Sequence, residues 1–593
     1  MSNGDFLPGS DQEGNMLFSV NLLKRGSLSL GPPHAPHAFF WTLEQPGVAP
    51  RPVAIEAWND AADAAYREGR LKVADHHYYL AATTRPAEYV NTFGLGAALA
   101  GLPVYAVIDL FVDIATDRSW WWHGAALTAS LLTALAAVFV FLAARCFVEP
   151  LPAALVALAF GLGSCVWPVS SQALWQHPAS TLCLSLGAWF LVRSPERPRT
   201  AAWCGAVFGK AVLCRPTTAV SVVCVGAYLL WVDRRRCAAY VLGGLPFLVI
   251  LIAYNGYYFG SPFVFGQTAA SKTIALRDTG SESLWQSSWR ESLPGLLISP
   301  SRGLLWFSPV LLLGLAGAPA VWRVPRYRPL IPLQAAAALM ILVAGKWVDW
   351  IGGLTWGYRS IVDTTPFLAL LMVPVMERAI AGRRTRAVFA AALVWSMGAQ
   401  FVGAWSYSVV GWHAMTMAYD DPNHAGVWLW RRPQIGYHLA SFATERAQKR
   451  RLMAIYADNR KPVLVLPDRA RPAAAADERR LLVRELGDPA ALQNRADALR
   501  TQGRYEEAID HLAMLRFGLQ RYAAALELYR RLAEIEPGNA QTHANLGATL
   551  YYLGRTGDAI RSVEHALSLD PALKEARSAL DRLREIARQD GQQ

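Results

Sequence analysis

Charged residues are scarce in this chain: they make up 17% of its 593 residues, whereas 53% are hydrophobic. Ordinary soluble domains carry about 25% charged residues, so the composition excludes a protein built only from such domains. The net charge of +12 does not indicate a nucleic-acid partner, because basic nucleic-acid-binding proteins are not this apolar. The composition instead predicts a protein that crosses a membrane several times.

Recognisable cofactor and metal motifs are also missing. None of the seven cysteines lies in the polar loops or the tail, and no CxxC pair or Cys/His spacing suited to zinc occurs. No P-loop, GxGxxG, HExxH or GxSxG motif stands in a suitable context. No compact carboxylate cluster demands an ion either. The sequence therefore assigns no cofactor, and a requirement for a divalent metal stays open.

Apolar segments and arginine clusters dominate the central part of the chain. Apolar segments that suit membrane helices lie at 124–144, 150–168, 174–192, 201–214, 217–232, 238–258, 303–322, 329–345, 361–377 and 387–409. Every second connection between them carries arginines, 14 in all, around residues 145, 193–199, 234–236, 323–328 and 378–386. Positively charged connections stay in the cytoplasm. The other connections, and everything after about residue 410, are therefore predicted outside.

These patterns predict an all-α, polytopic membrane protein with a soluble helical tail. The predicted parts are an extracytoplasmic loop with amphipathic helices (1–90), an interfacial or re-entrant helix (91–114), a body of about ten transmembrane helices (115–410), an extracytoplasmic linker (411–484) and a repeat domain (485–593). Nothing in residues 1–90 explains how that loop is exported. We therefore expect one further transmembrane helix upstream of this start.

The tail carries a spacing of 34 residues. Small and apolar residues recur where two helices would cross, and a proline ends each helix pair: Ala525 and Pro537 are followed by Gly547, Leu550, Ala559, Ala566 and Pro571. This pattern resembles the tetratricopeptide repeat. Two to three such repeats make a small surface for a protein partner.

Carboxylates and basic residues of the outer connections are candidates for chemistry. Asp11 and Glu13 precede an amphipathic run, and a carboxylate at the outer membrane surface can take a proton from a hydroxyl as general base. Four basic residues lie near the outer ends of spans, where they can bind a lipid phosphate or simply reach the headgroups: Lys210, Arg215, Arg302 and Arg359.

A second group of outer residues consists of candidates for substrate binding. His177 is either a proton carrier or a hydrogen-bonded loop residue. Lys346 precedes the Trp-Gly-Tyr-Arg stretch, in which Trp356 and Tyr358 either stack on a sugar or belong to the interfacial aromatic belt.

Several short motifs, taken in order, resemble a known family. They are Trp175-Gln-His-Pro178, Lys210-Ala-Val-Leu-Cys-Arg-Pro216, Ser299-Pro-Ser-Arg-Gly303 and Gly357-Tyr-Arg359. The region 5–410 resembles the bacterial GT-C-fold glycosyltransferases that use lipid carriers, the superfamily of protein O-mannosyltransferases and aminoarabinose transferases. The resemblance implies a polyprenyl-phosphate-linked sugar donor, Asp11 or else Glu13 as catalytic base, and Arg215, Arg302 and Arg359 as ligands of the donor phosphate.

The resulting prediction is an inverting membrane glycosyltransferase. It would act on the periplasmic side of the bacterial inner membrane, with the N-terminal loop and the repeat domain on that side. Its partners would be the lipid bilayer, the polyprenyl-phosphate sugar and a protein at the repeats, with no nucleic acid. Two alternatives stay open: a non-catalytic membrane scaffold that recruits envelope-assembly proteins through the repeats, and a transporter of a lipid-linked substrate.

Overall fold

The computed structural model describes most of the membrane body and part of the tail. The described residues are 12–30, 40–45, 48–54, 72–75, 79–85, 88–115, 119–269, 284–407, 425–431 and 433–443, with Trp412 and parts of 445–453 and 509–587. They fall into two units. The first comprises Met1–Phe39, His77–Val409 and Tyr419–Val465, and the second Phe40–His76, Val410–Ala418 and Leu466–Gln593.

The first unit is built mainly from helices. They are α1 (Glu13–Arg25), α2 (Gly96–Asp109), α3 (Ser119–Ala144), α4 (Pro150–Gly161), α5 (Gln176–Arg193), α6 (Thr200–Cys214), α7 (Ala219–Val232), α8 (Arg234–Phe259), α9 (Gly266–Ala269), α10 (Trp289–Ile298), α11 (Leu304–Phe307), α12 (Leu313–Arg323), α13 (Ile331–Ala344), α14 (Thr365–Leu370), α15 (Val373–Ala381), α16 (Arg383–Ser406) and α17 (Gln434–Ala440). A small hairpin of β4 (Leu80–Ala82) and β5 (Tyr89–Asn91) joins them. The all-α membrane prediction is confirmed, with short strands as a minor addition.

Helices of membrane-spanning length are fewer than the ten predicted segments. Among the described residues, four helices are long and apolar enough to cross a membrane: α3, α8, α16 and Pro325–Ala344, which includes α13. A fifth span results if the pair Arg359–Leu370 and Val373–Ala381, bent by 65°, counts as one. Five further apolar helices have only 10–17 residues, partly because Pro309 begins a 3₁₀ turn that interrupts the predicted segment 303–322. How many of these shorter helices cross stays a prediction.

The predicted amphipathic run before residue 25 forms α1, which packs against α2. Ser19 Oγ donates to the Ala98 carbonyl at 2.7 Å, and Lys24 Nζ pairs with Asp109 at 2.6 Å and with Asp113 at 2.9 Å. Helix α2 has 14 residues, which gives it a length of about 21 Å. That is shorter than the roughly 30 Å hydrocarbon core of a bilayer, so α2 suits the predicted interfacial position.

Helices α6 and α8 touch backbone to backbone through glycines. A Cβ placed on Gly205 of α6 would lie 1.8 Å from the Tyr240 carbonyl oxygen, and one placed on Gly243 of α8 would lie 1.9 Å from the Ala202 carbonyl oxygen. Small residues of this kind allow close helix packing in membranes, where contact between surfaces replaces the hydrophobic effect as driving force. This contact fixes α6, which ends beside the candidate site.

The first unit also contains residues that follow α16, here called the return segment (433–453). Lys449 Nζ donates to the Ala404 carbonyl at 2.7 Å, and Arg446 Nη1 donates to the Trp405 carbonyl at 3.1 Å. Met453 packs against the buried cluster that contains Met16 of α1. The described residues of the return segment are thus packed against the helical body, while the bounds of the predicted linker 411–484 stay a prediction.

The second unit contains an antiparallel sheet and the repeat helices. β1 (Phe40–Gln45) lies between β2 (Val48–Ala54) and β3 (Lys72–Asp75). The tail contributes α18 (Tyr522–Ile535), α19 (Ala540–Tyr552) and α20 (Thr556–Leu569). Gly547 of α19 and Val563 of α20 are in close contact, since a Cβ on Gly547 would lie 2.5 Å from the valine side chain. This is the small-residue crossing that the 34-residue spacing predicts.

Candidate functional site

A buried carboxylate and a histidine meet where α5 begins. His177 lies in the first turn of α5, and Asp363 lies in the 3₁₀ turn Arg359–Thr364 that leads into α14. His177 Nδ1 is 3.2 Å from Asp363 Oδ2. Ser180 Oγ and Thr181 Oγ1 donate to Asp363 Oδ1 at 2.7 and 3.3 Å. The Asp363 side chain, which is 1% exposed, is therefore held in place by the first turns of α5.

Arg215 reaches the same carboxylate from the end of α6. It lies between Cys214, the last residue of α6, and Pro216, with an extended backbone (φ −151°, ψ 111°), as expected for a residue before proline. Its Nη1 donates to Asp363 Oδ2 and lies 3.1 Å from His177 Nδ1. The Arg215 side chain keeps 20% exposure, so this ion pair is only partly removed from the surface of the site.

Arg359 approaches the other ring nitrogen of His177. Its Nε donates to His177 Nε2 at 3.5 Å, and its Nη1 donates to the Gly352 carbonyl at 3.4 Å. The guanidinium carbon lies 3.9 Å from the centre of the Trp175 ring, within the range of a cation–π contact. A neutral imidazole with its proton on Nδ1 satisfies both neighbours, because Nδ1–H donates to Asp363 while Nε2 accepts from Arg359.

We call His177, Arg215, Arg359 and Asp363 the arginine cluster. It combines two guanidinium groups with one carboxylate, so positive charge is in excess when His177 is neutral. The indole Nε1 of buried Trp175 beside it has no hydrogen-bond partner among the described residues. Guanidinium groups form strong, charge-assisted hydrogen bonds with phosphate. The cluster therefore has the charge and the donors to bind a phosphate group.

The described part of the predicted acidic motif, Gln12 and Glu13, is anchored beside this cluster. Gln12 Oε1 accepts a hydrogen bond from Leu174 N at 3.1 Å, and Asn15 Nδ2 donates to the Leu174 carbonyl at 2.8 Å. Leu174 directly precedes Trp175, the ring on which Arg359 stacks. The start of α1, where Glu13 is half-buried, is thus attached next to the cluster. Asp11 lies outside the described residues.

Arg302 has partners that differ from those the sequence predicts. It is fully buried, its Nε donates to the Ile351 carbonyl at 2.9 Å, and its Nη2 donates to the Gly353 carbonyl at 3.2 Å. Its Nη1 donates to the Gln434 Oε1 atom at 3.0 Å. Burial lowers the pKa of the Arg302 guanidinium to about 10, so it stays protonated at neutral pH. Arg302 stabilises the loop that precedes Arg359 and is not exposed to a donor phosphate in this structure.

Trp356 and Tyr358 occupy the interior instead of a substrate surface. Both are fully buried. Trp356 packs edge-on against Phe307, with ring centres 5.4 Å apart. The Tyr358 hydroxyl donates to Ser308 Oγ at 2.6 Å and accepts from Cys165 N at 3.2 Å. The contacts of both residues in this structure are packing contacts, and their binding of substrate stays a prediction.

The two lysines expected at the site lie elsewhere. Lys346 is half-buried, and its Nζ lies 4.8 Å from the centre of the Trp289 ring. Lys210 is exposed on α6, one turn before Cys214. The structure thus brings together His177, Arg215 and Arg359 of the predicted basic and polar residues and places Glu13 nearby.

A small cavity of about 30 Å³ adjoins the cluster. Its lining includes Phe93, Gln176, Leu213, Pro216 and Tyr254. Gln176 precedes His177 and Pro216 follows Arg215, so the cavity opens next to the cluster. Within the described ranges, no group of three or more His, Cys, Asp or Glu side chains is arranged to hold a metal ion.

Asp363 is the residue of this site that the sequence reasoning missed. A signal for it exists, because it is an acid inside the apolar segment predicted to span from 361 to 377. Ionisable residues within membrane segments are costly and usually functional. Asp363 also follows the predicted site residue Arg359 by only four residues.

Comparison with known proteins identifies two parts of the chain. Residues 102–257 match the family model described as dolichyl-phosphate-mannose-protein mannosyltransferase, and residues 540–573 match the tetratricopeptide repeat. These matches confirm both resemblances seen in the sequence. Among solved structures, the chain is similar to ArnT from Cupriavidus metallidurans bound to undecaprenyl phosphate, with 14% identity, a TM-score of 0.37, and coverage of 91% of this chain and 77% of that one. A search of curated proteins found no match.

Proposed function

Because residues 102–257 match the dolichyl-phosphate-mannose-protein mannosyltransferase family, we propose that this multi-pass membrane protein transfers a sugar from a polyprenyl-phosphate donor to an acceptor hydroxyl. The observation that carries the proposal is the arginine cluster. Arg215 is held by the buried Asp363, and Arg359 donates to Nε2 of His177, whose Nδ1–H donates to the same aspartate. This arrangement suits the phosphate that leaves when the sugar is transferred.

The carboxylate at the start of α1 supplies the base in this proposal. Asp11 or Glu13 takes the proton of the acceptor hydroxyl, whose oxygen then forms a bond to the anomeric carbon of the sugar. The bond between that carbon and the phosphate oxygen breaks, and polyprenyl phosphate keeps the electron pair. A single displacement of this kind inverts the anomeric centre.

Asp363 and His177 act on the arginines and not on the sugar. The carboxylate holds Arg215 by an ion pair, and neutral His177 orients Arg359 through Nε2. Fixed donors stabilise a developing charge without having to reorganise during the reaction. A phosphate that binds here meets two guanidinium groups already in place.

The arginine-rich connections support a periplasmic position of the site. Helices α5 and α6 form a pair whose connection carries Arg193, Arg197 and Arg199. His177 and Arg215 lie at the opposite ends of the same two helices. If arginine-rich connections are cytoplasmic, the cluster faces the periplasm of a bacterial inner membrane.

Binding and transfer assays on purified, full-length protein test this proposal. Undecaprenyl phosphate is the binding probe, and a panel of undecaprenyl-phosphate-linked sugars, labelled in the sugar, tests transfer. Arg215→Ala and Arg359→Ala should each weaken binding by about 10- to 150-fold, because a hydrogen bond to a charged group contributes about 1.5–3 kcal/mol. Arg384→Ala is the matched control, since Arg384 is exposed in the first turn of α16. Equal binding by all three variants would refute the phosphate site.

The repeat helices favour an additional role in recruiting a protein partner. Tetratricopeptide repeats such as the one matched at residues 540–573 build surfaces that bind other proteins. Deletion of residues 485–593 separates this role from catalysis. The pure scaffold alternative predicts that the deletion abolishes function, whereas variants of the arginine cluster have no effect.

A further inference from the structure

Gln434 is a fully buried side chain at the first residue of α17, in the return segment. Its Oε1 accepts hydrogen bonds from Arg302 Nη1 and from Gly357 N, both at 3.0 Å. Its Nε2 donates to the Thr355 carbonyl at 2.9 Å. One glutamine therefore makes three hydrogen bonds with the two loops that precede α11 and the Arg359 turn.

The loop that Gln434 contacts carries Arg359. Gly357 has φ +57°, a left-handed conformation, and a Cβ at this position would lie 2.6 Å from Cys165 Sγ. Such a backbone persists only when its surroundings hold it. Gly357 precedes Arg359 by two residues, so the hydrogen bond from its N–H to Gln434 acts directly on the turn that presents the guanidinium.

Arg302 extends the same support along the loop. It binds the carbonyls of Ile351 and Gly353 while its Nη1 is held by Gln434. The intervening Gly352 offers its carbonyl to Arg359 Nη1. The buried side chain of Arg302 thus fixes the backbone on both sides of Gly352, and Gln434 holds Arg302 in turn. Neither Arg302 nor Gln434 belongs to the arginine cluster.

We propose that Gln434 is a positioning residue that sets the place of Arg359 in the donor phosphate site, so that the return segment is part of the active site's construction. This inference rests on the proposed function, because it assumes that Arg359 binds the donor phosphate. It goes beyond it in assigning a role to a segment that follows the last span.

Affinity for undecaprenyl phosphate, measured on the full chain in nanodiscs, tests the inference. Gln434→Leu removes all amide contacts and leaves a buried guanidinium N–H and a backbone N–H without an acceptor, so binding should weaken roughly tenfold. Gln434→Glu keeps both acceptor contacts and should lose less. Lys449→Met is the matched control: it removes a buried hydrogen bond from the same segment, to Ala404 and away from the loop, and should bind as the wild type does.

A double variant separates positioning from general destabilisation. If Gln434 acts through Arg359, Arg359→Ala combined with Gln434→Leu should bind no more weakly than Arg359→Ala alone. The KM for the donor should rise in Gln434→Leu while the KM for the acceptor stays unchanged. Should Gln434→Leu fail to accumulate, Gln434→Asn, which shortens the side chain by one methylene, replaces it with the same expected direction.

The possible failures are distinguishable. Wild-type affinity in Gln434→Leu, or losses that multiply in the double variant, would overturn the positioning role while leaving the phosphate site intact. Unchanged affinity in Arg359→Ala would instead overturn the proposed function, and the inference with it.

Discussion

Replacement of Asp363 by asparagine is the sharpest perturbation of the cluster, because it changes charge at nearly constant volume. The carboxylate accepts from Ser180 and Thr181 at Oδ1 and faces Arg215 and His177 at Oδ2. An asparagine has one acceptor oxygen and one NH2 group. In one orientation its NH2 group faces Ser180 and Thr181, and in the other it faces Arg215 and His177. Either way, donors that the carboxylate accepted from face an NH2 group in place of an oxygen.

The size of the effect follows from burial. Breaking a buried ion pair by removing one partner costs about 3–5 kcal/mol, and the 20% exposure of the Arg215 side chain places the expected cost at the lower end. A loss of about 3 kcal/mol corresponds to roughly 150-fold. We therefore expect Asp363→Asn to cost about 3 kcal/mol in total, shared between stability and donor binding, so that transfer per folded protein falls by at most about 150-fold.

Two measurements separate these contributions. Transfer from the labelled donor is normalised to folded protein, and thermal unfolding in detergent reports stability. Ser180→Ala removes one neutral hydrogen bond and should cost about 1 kcal/mol, and Glu377→Gln, an exposed acid, should change neither quantity. Asp363→Asn with wild-type transfer and wild-type unfolding would refute the reasoning that this carboxylate holds Arg215.

Three further predictions concern the base, the helix contact and the tail. Asp11→Asn or Glu13→Gln, whichever residue is the base, should lower kcat by about 10²- to 10⁴-fold while undecaprenyl phosphate binding stays near wild type; full kcat in both variants would remove α1 from the mechanism. Gly205→Val should prevent accumulation of folded protein, because a Cβ there meets backbone at 1.8 Å, whereas Gly398→Ala meets nothing within 4 Å and should accumulate normally in membranes. Deletion of 485–593 should leave transfer by purified protein intact and abolish co-purification of a bound partner; loss of transfer would contradict this division of labour.

The fold was predictable to the extent that hydrophobicity determines it. Apolar runs placed the helices, but Pro309 interrupts the run 303–322, and a proline inside an apolar run is itself a signal for a helix break. Basic runs such as 448–452 favour a linker in the region that contains the return segment 433–453. Its packing depends on tertiary partners such as Ala404, which no local pattern reveals.

The site was predictable to a similar extent. Arg215 and Arg359 were identified because a guanidinium near a membrane interface is costly without a function. The same argument selected Arg302, for which the structure supplies carbonyl partners instead, since only the three-dimensional surroundings decide whether a buried arginine binds protein or ligand. Gln434 had no signal, because it meets its partners across more than 70 residues of sequence.

The most direct test of the central claim is a single-turnover reaction with an undecaprenyl-phosphate-linked sugar, in which released carrier and transferred sugar are both counted. The account predicts that wild-type protein releases one undecaprenyl phosphate for each sugar transferred. It also predicts that the Arg215→Ala, Arg359→Ala double variant does so at least about 100-fold more slowly, as expected for two lost charge-assisted contacts. Equal rates in the two proteins, or carrier release without sugar transfer, would contradict it.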